Sequence, residues 1–369
     1  MSTPKVVTEL IGRSNRLGSE ARFTNYAGGN TSAKGEVPNP ATGKPIQLLW
    51  VKGSGGDLGT LKESGLAVLD LERFRDLVNV YPGIEREDEM VALFDFCRFG
   101  VGGAAPSIDT SMHGLVDYQS VDHLHPDSII ALATSIDGEE LTKKCFGDEI
   151  LWVDWRRPGF QLGLDIAKLA KENPKAQGCV LGGHGLTVWG NTSEECEKRA
   201  VATITKAEEF IKKNGKKDPF GSKIKANAPL DKEKRRARAA ELAPYLRGIA
   251  SQDVRMMGHF YDNPEVLDFL EGSKLPHLVS LGTSCPDHFL RTKVSPMLLD
   301  TAPDAPIDEV IARAKEIHVK YRENYAAYYN RYATKDSPAM RGADPLIILV
   351  PGIGMFSYGK DKQTARVAG

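Results

Sequence analysis

The sharpest chemical signal in this 369-residue sequence is His123-Leu124-His125. In an extended strand, residues i and i+2 point to the same side, so both imidazoles can reach one ion. Zinc accepts neutral imidazole nitrogen at about 2.0–2.1 Å, and a catalytic zinc needs three protein ligands and one open position. By itself the pair also fits two histidines at the surface or the edge of a core. A third candidate ligand is His184 in Gly182-Gly183-His184-Gly185, where flanking glycines let the backbone pass close to a metal or substrate. With an acid-bearing motif upstream, the three histidines point to a metal site.

That motif is Ala105-Pro106-Ser107-Ile108-Asp109-Thr110-Ser111-Met112-His113. A Pro-Ser turn presents a hydroxyl and a carboxylate together, with a helix expected to follow. Ser107 or Asp109 could equally do no more than cap that helix. His113 reads as a structural histidine and is not assigned as a ligand. Two loops, Tyr26-Ala27-Gly28-Gly29-Asn30-Thr31-Ser32 and Lys52-Gly53-Ser54-Gly55-Gly56-Asp57, offer backbone N–H groups and hydroxyls. Successive N–H groups in glycine turns form an anion nest, and Lys52 can add a point charge. Tight turns between strands explain either loop as well. Neither is a P-loop or a G-x-G-x-x-G dinucleotide fingerprint.

These residues need a frame, and the chain reads as mixed α/β. Gln47 to Val51 is a strand entering a glycine loop. Residues 85–99 have helical apolar spacing, with acids in the first turn. Val121 to Thr134 is a compact region around a proline. Gln177 to Trp189 is an apolar, glycine-broken strand. A long amphipathic helix follows, with Thr192 and Glu195 spaced as a capping box. Residues 212–240 are strongly charged and mark a boundary. They read as a solvated linker and helix face, which divides the chain into a catalytic domain at 1–215, a charged linker and helix at 216–245 and an α/β extension at 246–369. Near the end, Ile307 to Tyr332 is a long helix with tyrosines at 321, 325, 328, 329 and 332. A tyrosine stripe at that spacing is expected in a core or a subunit interface.

Residues 180–200 resemble residues 350–368, and Val121 to His125 resembles the Asp-His pair of Cys285 to Leu290. Asp122 and His184 are 62 positions apart, and Asp287 and Ile353 are 66 apart. A partial repeat is expected on that basis, in which Leu290 and Ile353 replace His125 and His184.

Composition narrows the function classes. There are 48 Lys+Arg against 49 Asp+Glu, 41% hydrophobic and 26% charged residues. These values fit a globular chain and argue against disorder. A formal net charge of −1 removes the electrostatic case for nucleic-acid binding. No apolar run approaches the roughly 20 residues that span a membrane, so no membrane partner is expected. The polar start lacks the apolar centre of a signal peptide. Five scattered cysteines, none in a C-x-x-C pair, suit free thiols in a reducing, cytoplasmic setting.

Read in order, GGNTS, the strand into KGSG, PSIDTxxH, DHLHPD and GGHGL resemble the class II aldolase/adducin family over roughly residues 20–215. Their wording is most similar to the aldolase portion of bifunctional rhamnulose-1-phosphate aldolase/short-chain dehydrogenases, as are LGTSCPDHFLRTK and the PGIGMFSYGKDKQTARVAG ending. The resemblance implies a three-layer α/β/α sandwich with a largely antiparallel central sheet. It implies one Zn2+ per subunit on His123, His125 and His184, and substrate phosphate on Asn30, Ser54, Gly55 and Ser107. Asp109 falls where the aldolases carry an acid/base glutamate and the related 4-epimerases an aspartate, and Ile108 replaces a second serine. The implied reaction is zinc-dependent retro-aldol cleavage of a ketose 1-phosphate. For L-rhamnulose 1-phosphate the products are dihydroxyacetone phosphate and L-lactaldehyde. A 4-epimerase and a non-catalytic adducin-like assembly module are the alternatives. The implied partners are a small sugar phosphate, further copies of the chain in a homo-oligomer (a tetramer favoured), and a short-chain dehydrogenase domain in a longer parent chain.

Overall fold

The computed structural model describes residues 3–26, 28–100, 102–335 and 337–369, so Ala27 of the first glycine loop lies outside the described residues. The chain forms two compact units, Met1–Gly215 and Lys216–Gly369. In the first, strands β1 (Asn30–Pro38), β2 (Pro45–Lys52), β3 (Leu66–Asp70), β4 (Ser120–Leu124), β5 (Ile150–Val153), β6 (Gly178–Leu181) and β7 (Gly185–Gly190) build one sheet in the order β3-β2-β1-β4-β7-β6-β5. Only β5 and β6 pair in parallel; every other neighbour is antiparallel.

Both faces of this sheet are covered, and the alternation along its strands shows why. Cys179 and Leu181 of β6 pack with Leu162, Ile166 and Trp189 on one side. Val180, between them, packs with Ile129, Phe146, Ala200 and Ile204 on the other. Successive side chains of a strand point to opposite faces, so an all-apolar strand buries both. The result is helix, sheet, helix. Helix Ser193–Asn214 starts where the spacing predicts: the Thr192 hydroxyl accepts the Glu195 N–H at 3.1 Å. The return arm lands one residue early, with the Glu195 carboxylate accepting the Asn191 N–H at 2.6 Å. The helix expected over 85–99 is shorter, Glu89–Phe94, with 3-10 turns on both sides. All five cysteines are buried free thiols. No helix among the described residues is long and apolar enough to cross a membrane.

The second unit carries β8 (Met257–Tyr261), β9 (Met297–Leu298), β10 (Ile347–Val350) and β11 (Gly354–Gly359) in the order β8-β11-β10-β9. Helix Ile307–Tyr332 spans the residues expected of it and buries Val310, Ala314 and His318. The charged stretch read as a separate linker and helix belongs to this unit. Its helix, Lys232–Ile249, turns Leu242, Leu246 and Ile249 into the same core as Ile348, Phe356 and Tyr358.

The order and strand senses of this sheet repeat β4-β7-β6-β5: two antiparallel pairings, then a parallel one. The hairpins match in detail. Gly183 and Gly352, at equivalent turn positions, have φ of 62° and 71°. Register then places Phe260 where β4 has His123, because Leu124 pairs with Leu186 and Tyr261 pairs with Met355. Asp262 and Ile353 fall at the places of His125 and His184. The proposed match of Asp122-His123 with Asp287-His288 is therefore wrong. Asp287 and His288 lie in helix Pro286–Thr292, whereas the strand corresponding to β4 is β8. An Asp-His dipeptide carries too little information to fix a register, and the similar separations were coincidental.

Candidate metal centre

The three candidate histidines come from the middle of the first sheet. His123 sits in β4, paired with Asn30 of β1 on one side and Thr187 of β7 on the other. His125 lies just beyond the end of β4. His184 is not on a strand, as the apolar run suggested, but in the turn between β6 and β7. Gly183, with φ of 62°, permits that reversal where a residue with a Cβ would be strained. Gly185 is needed for closeness: a Cβ there would lie 2.7 Å from His125 Cδ2 and 2.7 Å from the Leu124 carbonyl oxygen.

The imidazoles converge. His123 Nε2 lies 3.2 Å from His184 Nε2 and 2.8 Å from His125 Nε2. All three rings are buried, and their candidate ligand atoms fall within 4.8 Å of one another. The tautomer of His123 follows from its other nitrogen. Nδ1 faces the Leu186 carbonyl oxygen at 3.0 Å, and a carbonyl can only accept, so the neutral ring carries its proton on Nδ1. The Nε2 lone pair then points into the cluster. Burial pushes the His184 imidazole well below its ordinary pKa, with the neighbouring His123 and His125 adding to the effect, which keeps it an uncharged donor. A tetrahedral ion held at about 2.0–2.1 Å sets nitrogen–nitrogen edges of about 3.3 Å, near the 3.2 Å between His123 and His184, while the 2.8 Å between His123 and His125 is shorter and the whole set stays within 4.8 Å. The donor set therefore fits a divalent metal ion, and imidazole nitrogens suit zinc among several.

A second constellation adjoins it. The Asn30 amide donates from Nδ2 to Asp109 Oδ2 at 3.1 Å and lies 3.5 Å from the Ser107 hydroxyl. Its Oδ1 is 2.6 Å from His113 Nε2. An amide oxygen accepts, so Nε2 carries the proton, and His113 Nδ1, 2.8 Å from the Ser32 hydroxyl, accepts in turn. His113 is fully buried, and burial depresses its pKa, so a neutral ring with one defined tautomer is the stable form. Asp109 itself is half-buried and does not cap helix Thr110–Leu115 through its side chain.

Ser54 and Gly55 lie in the exposed loop after β2. The Ser54 N–H donates to the Ala105 carbonyl at 2.9 Å, which ties this loop to the one bearing Ser107 and Asp109. Gly55 and Gly56 have φ of 73° and 70°, and a Cβ on either would meet nothing within 4 Å. These two glycines thus border open space, which leaves room for an anion beside the loop.

The residue that inspection of the sequence undervalued is His113. Its four-residue offset from Asp109 on a helix hinted at a shared face, but only the packing shows that it orients Asn30. Arg13 gave no signal at all. It is buried and donates to Asp122 Oδ1 at 3.0 Å and to the Ser32 carbonyl at 2.8 Å, tying helix Lys5–Gly18 to β1 and β4.

Comparison with known proteins bears on this arrangement. Residues 9–211 match a family model described as Class II Aldolase and Adducin N-terminal domain, and residues 237–369 match one described as Aldolase class II, second domain. The chain is 34% identical, over 99% of its length, to the uncharacterized oxidoreductase YuxG of Bacillus subtilis (strain 168). It spans only about half, 52%, of that relative. Among solved structures, the N-terminal class II aldolase domain of a conserved protein from Thermoplasma acidophilum is 26% identical, with a TM-score of 0.51, over 57% of this chain and 96% of that one. A sugar-phosphate aldolase from Thermotoga maritima is 14% identical, with a TM-score of 0.43, over 57% and 97% of the two chains.

Proposed function

The chain belongs to the class II aldolase and adducin family, and from that premise we propose that it is a zinc-dependent aldolase cleaving a ketose 1-phosphate, L-rhamnulose 1-phosphate, into dihydroxyacetone phosphate and L-lactaldehyde. The observation that carries this reading is the meeting of three buried imidazole nitrogens beside the Asn30–Asp109 pair. An assembly module without chemistry has no use for a buried, tautomer-fixed donor set.

His123, His125 and His184 would hold the metal, which when bound supplies Lewis-acid polarisation of an oxygen atom. The chain's own residues do the rest. Asp109 is the proton carrier: its carboxylate takes the proton of the C4 hydroxyl as the C3–C4 bond breaks, the bonding electron pair moves toward the C2 carbonyl, and a proton is delivered to C3. Asn30 holds that carboxylate in place with an N–H and, through His113, is itself held. Ser107, Ser54, Gly55 and the neighbouring backbone N–H groups bind the phosphate; Asn30, expected in that set, has its amide engaged by Asp109 and His113 instead. Remote binding of this kind positions the reacting carbons.

The test is direct. The purified full chain is stripped with chelator, reloaded with zinc and given L-rhamnulose 1-phosphate, with products followed by proton NMR. The expected result is metal-dependent release of both fragments. Indifference to chelation, or absence of cleavage in loaded protein with this sugar, sinks the reading. Asp109, shorter than a glutamate, favours a second reading, a 4-epimerase that recombines the fragments. Recovery of a ketose phosphate inverted at C4 identifies it. On either reading we place any oxidoreductase chemistry in a further domain, outside the stretch that this chain shares with the Bacillus subtilis relative.

A further inference from the structure

The second unit contains a cleft of about 270 Å³ that the reaction above does not use. Val254, Met256, Phe289 and Tyr325 form much of its wall, and Lys293 and Arg341 bring positive charge to it. Lys293 is the one non-glycine residue with positive φ among the described residues, at 64°. This backbone reversal ends helix Pro286–Thr292, with the Lys293 N–H donating to the Phe289 carbonyl at 3.1 Å, and it also sets the direction in which the side chain leaves the helix. Here the aim is tight. The ammonium donates to the carbonyls of Gly342 at 3.0 Å and Asp344 at 2.6 Å and stands 4.3 Å from the centre of the Tyr325 ring.

The charge count shows what the cleft prefers. Two carboxylates line it, Asp253 and Asp344, and both are already engaged. Asp253 accepts both Arg322 nitrogens at 2.9 and 3.0 Å and the Ala343 N–H at 2.8 Å. Asp344 accepts the N–H groups of Gln252 and Asp253 at 2.7 and 2.9 Å, besides His318 and Arg322. Arg322 and Lys293 balance these two acids. Arg341, which makes no ion pair among the described residues, is left over. One uncompensated positive charge at the edge of a mainly apolar cleft selects a monoanion with an apolar body.

We propose that this cleft is a second small-molecule site, separate from the histidine cluster, that takes a monocarboxylate carrying a compact aromatic or branched aliphatic group. The carboxylate meets Lys293 and Arg341, and the body lies against Tyr325, Phe289 and Met256.

The experiment titrates the full chain with benzoate, phenylacetate and 4-methylpentanoate, with benzamide as the uncharged control. The readouts are calorimetry and the methyl NMR signals of the methionines, with Met256 assigned by substitution. At least one acid is expected to saturate and to shift the Met256 signal, with and without chelator. Benzamide is expected to bind at least about tenfold more weakly, the size of one charge-assisted contact. Lys293→Met is expected to abolish binding. Arg341→Ala, at an exposed position with no ion pair among the described residues, is expected to weaken it about tenfold with an unchanged melting temperature. No saturable binding of any of the three acids overturns the proposal. So does equal binding of benzamide, or binding that Arg341→Ala leaves unchanged. Because the signal is insensitive to chelator and needs no turnover, failure here is distinguishable from failure of the aldolase reading.

Discussion

His113 and Asn30 lie 2.6 Å apart, Nε2 to Oδ1, and this contact decides which end of the Asn30 amide faces Asp109. With Oδ1 occupied, only Nδ2 can turn to the carboxylate, 3.1 Å away. Replacing the ring by an apolar one of similar size removes the constraint without opening a cavity. His113→Phe is expected to lower kcat about 100-fold through misplacement of the acid, with bound metal unchanged by elemental analysis. His113→Gln, able to donate at a similar reach, is expected to recover part of the loss.

The three histidines should behave as one unit. Single alanine substitutions at His123, His125 or His184 are each expected to bring bound metal from about one per chain to near zero, and activity down by at least about 100-fold, with no added effect in the double variants. Inductively coupled plasma analysis beside the activity assay checks this.

Gly185→Ala tests packing rather than ligation. The new methyl group would press on His125 Cδ2 and on the Leu124 carbonyl oxygen, each 2.7 Å away. The expected outcome is metal affinity weaker by at least about tenfold, measured by competition with a chromophoric chelator, and a stability loss of about 1–3 kcal/mol in urea.

Arg13 and Asp122 form a fully buried ion pair. Removing one charge strands the other, so Arg13→Met is expected to cost about 3–5 kcal/mol in chemical denaturation. The double variant Arg13→Met with Asp122→Leu is expected to be more stable than Arg13→Met alone.

Lys34 gives stability a pH dependence of a definite sign. Burial pushes its ammonium down to about 7, from an ordinary value of 10.5. Between those values the unfolded chain holds a proton that the folded chain has released, so stability rises with pH across that window, and the burden is greatest below about 7. Lys34→Met leaves the Tyr118 carbonyl, now 2.7 Å from Nζ, without this donor, which costs about 1–3 kcal/mol. Melting curves from pH 6 to 10 are expected to show the variant gaining most on wild type at the acidic end, with the difference shrinking as pH rises.

Much of the first unit was legible because its strands are short, apolar and punctuated by glycine, and because His123 and His125 share the two-residue period of a strand. Helix Ile307–Tyr332 was readable to its ends for a similar reason, a long regular pattern between breakers. What stayed hidden depends on contacts between distant positions. An apolar run around two glycines reads alike as one strand or as a hairpin, so the place of His184 in a turn was not visible. The role of His113 needed a tautomer, and a tautomer needs neighbours. The Asp287-His288 match failed because local wording says nothing of whether a segment is strand or helix.

The recurrence of the β4-β7-β6-β5 arrangement in the second unit, with Phe260, Asp262 and Ile353 in the histidine places, makes the two halves unequal in their tolerance of change. At His184 any substitution would remove a proposed ligand, whereas buried Ile353 offers only hydrocarbon, and other side chains of its volume are expected to serve. Ion stoichiometry is accordingly expected to stay at one for this chain, and grafting three imidazoles onto the second hairpin would show whether its scaffold alone suffices to capture another.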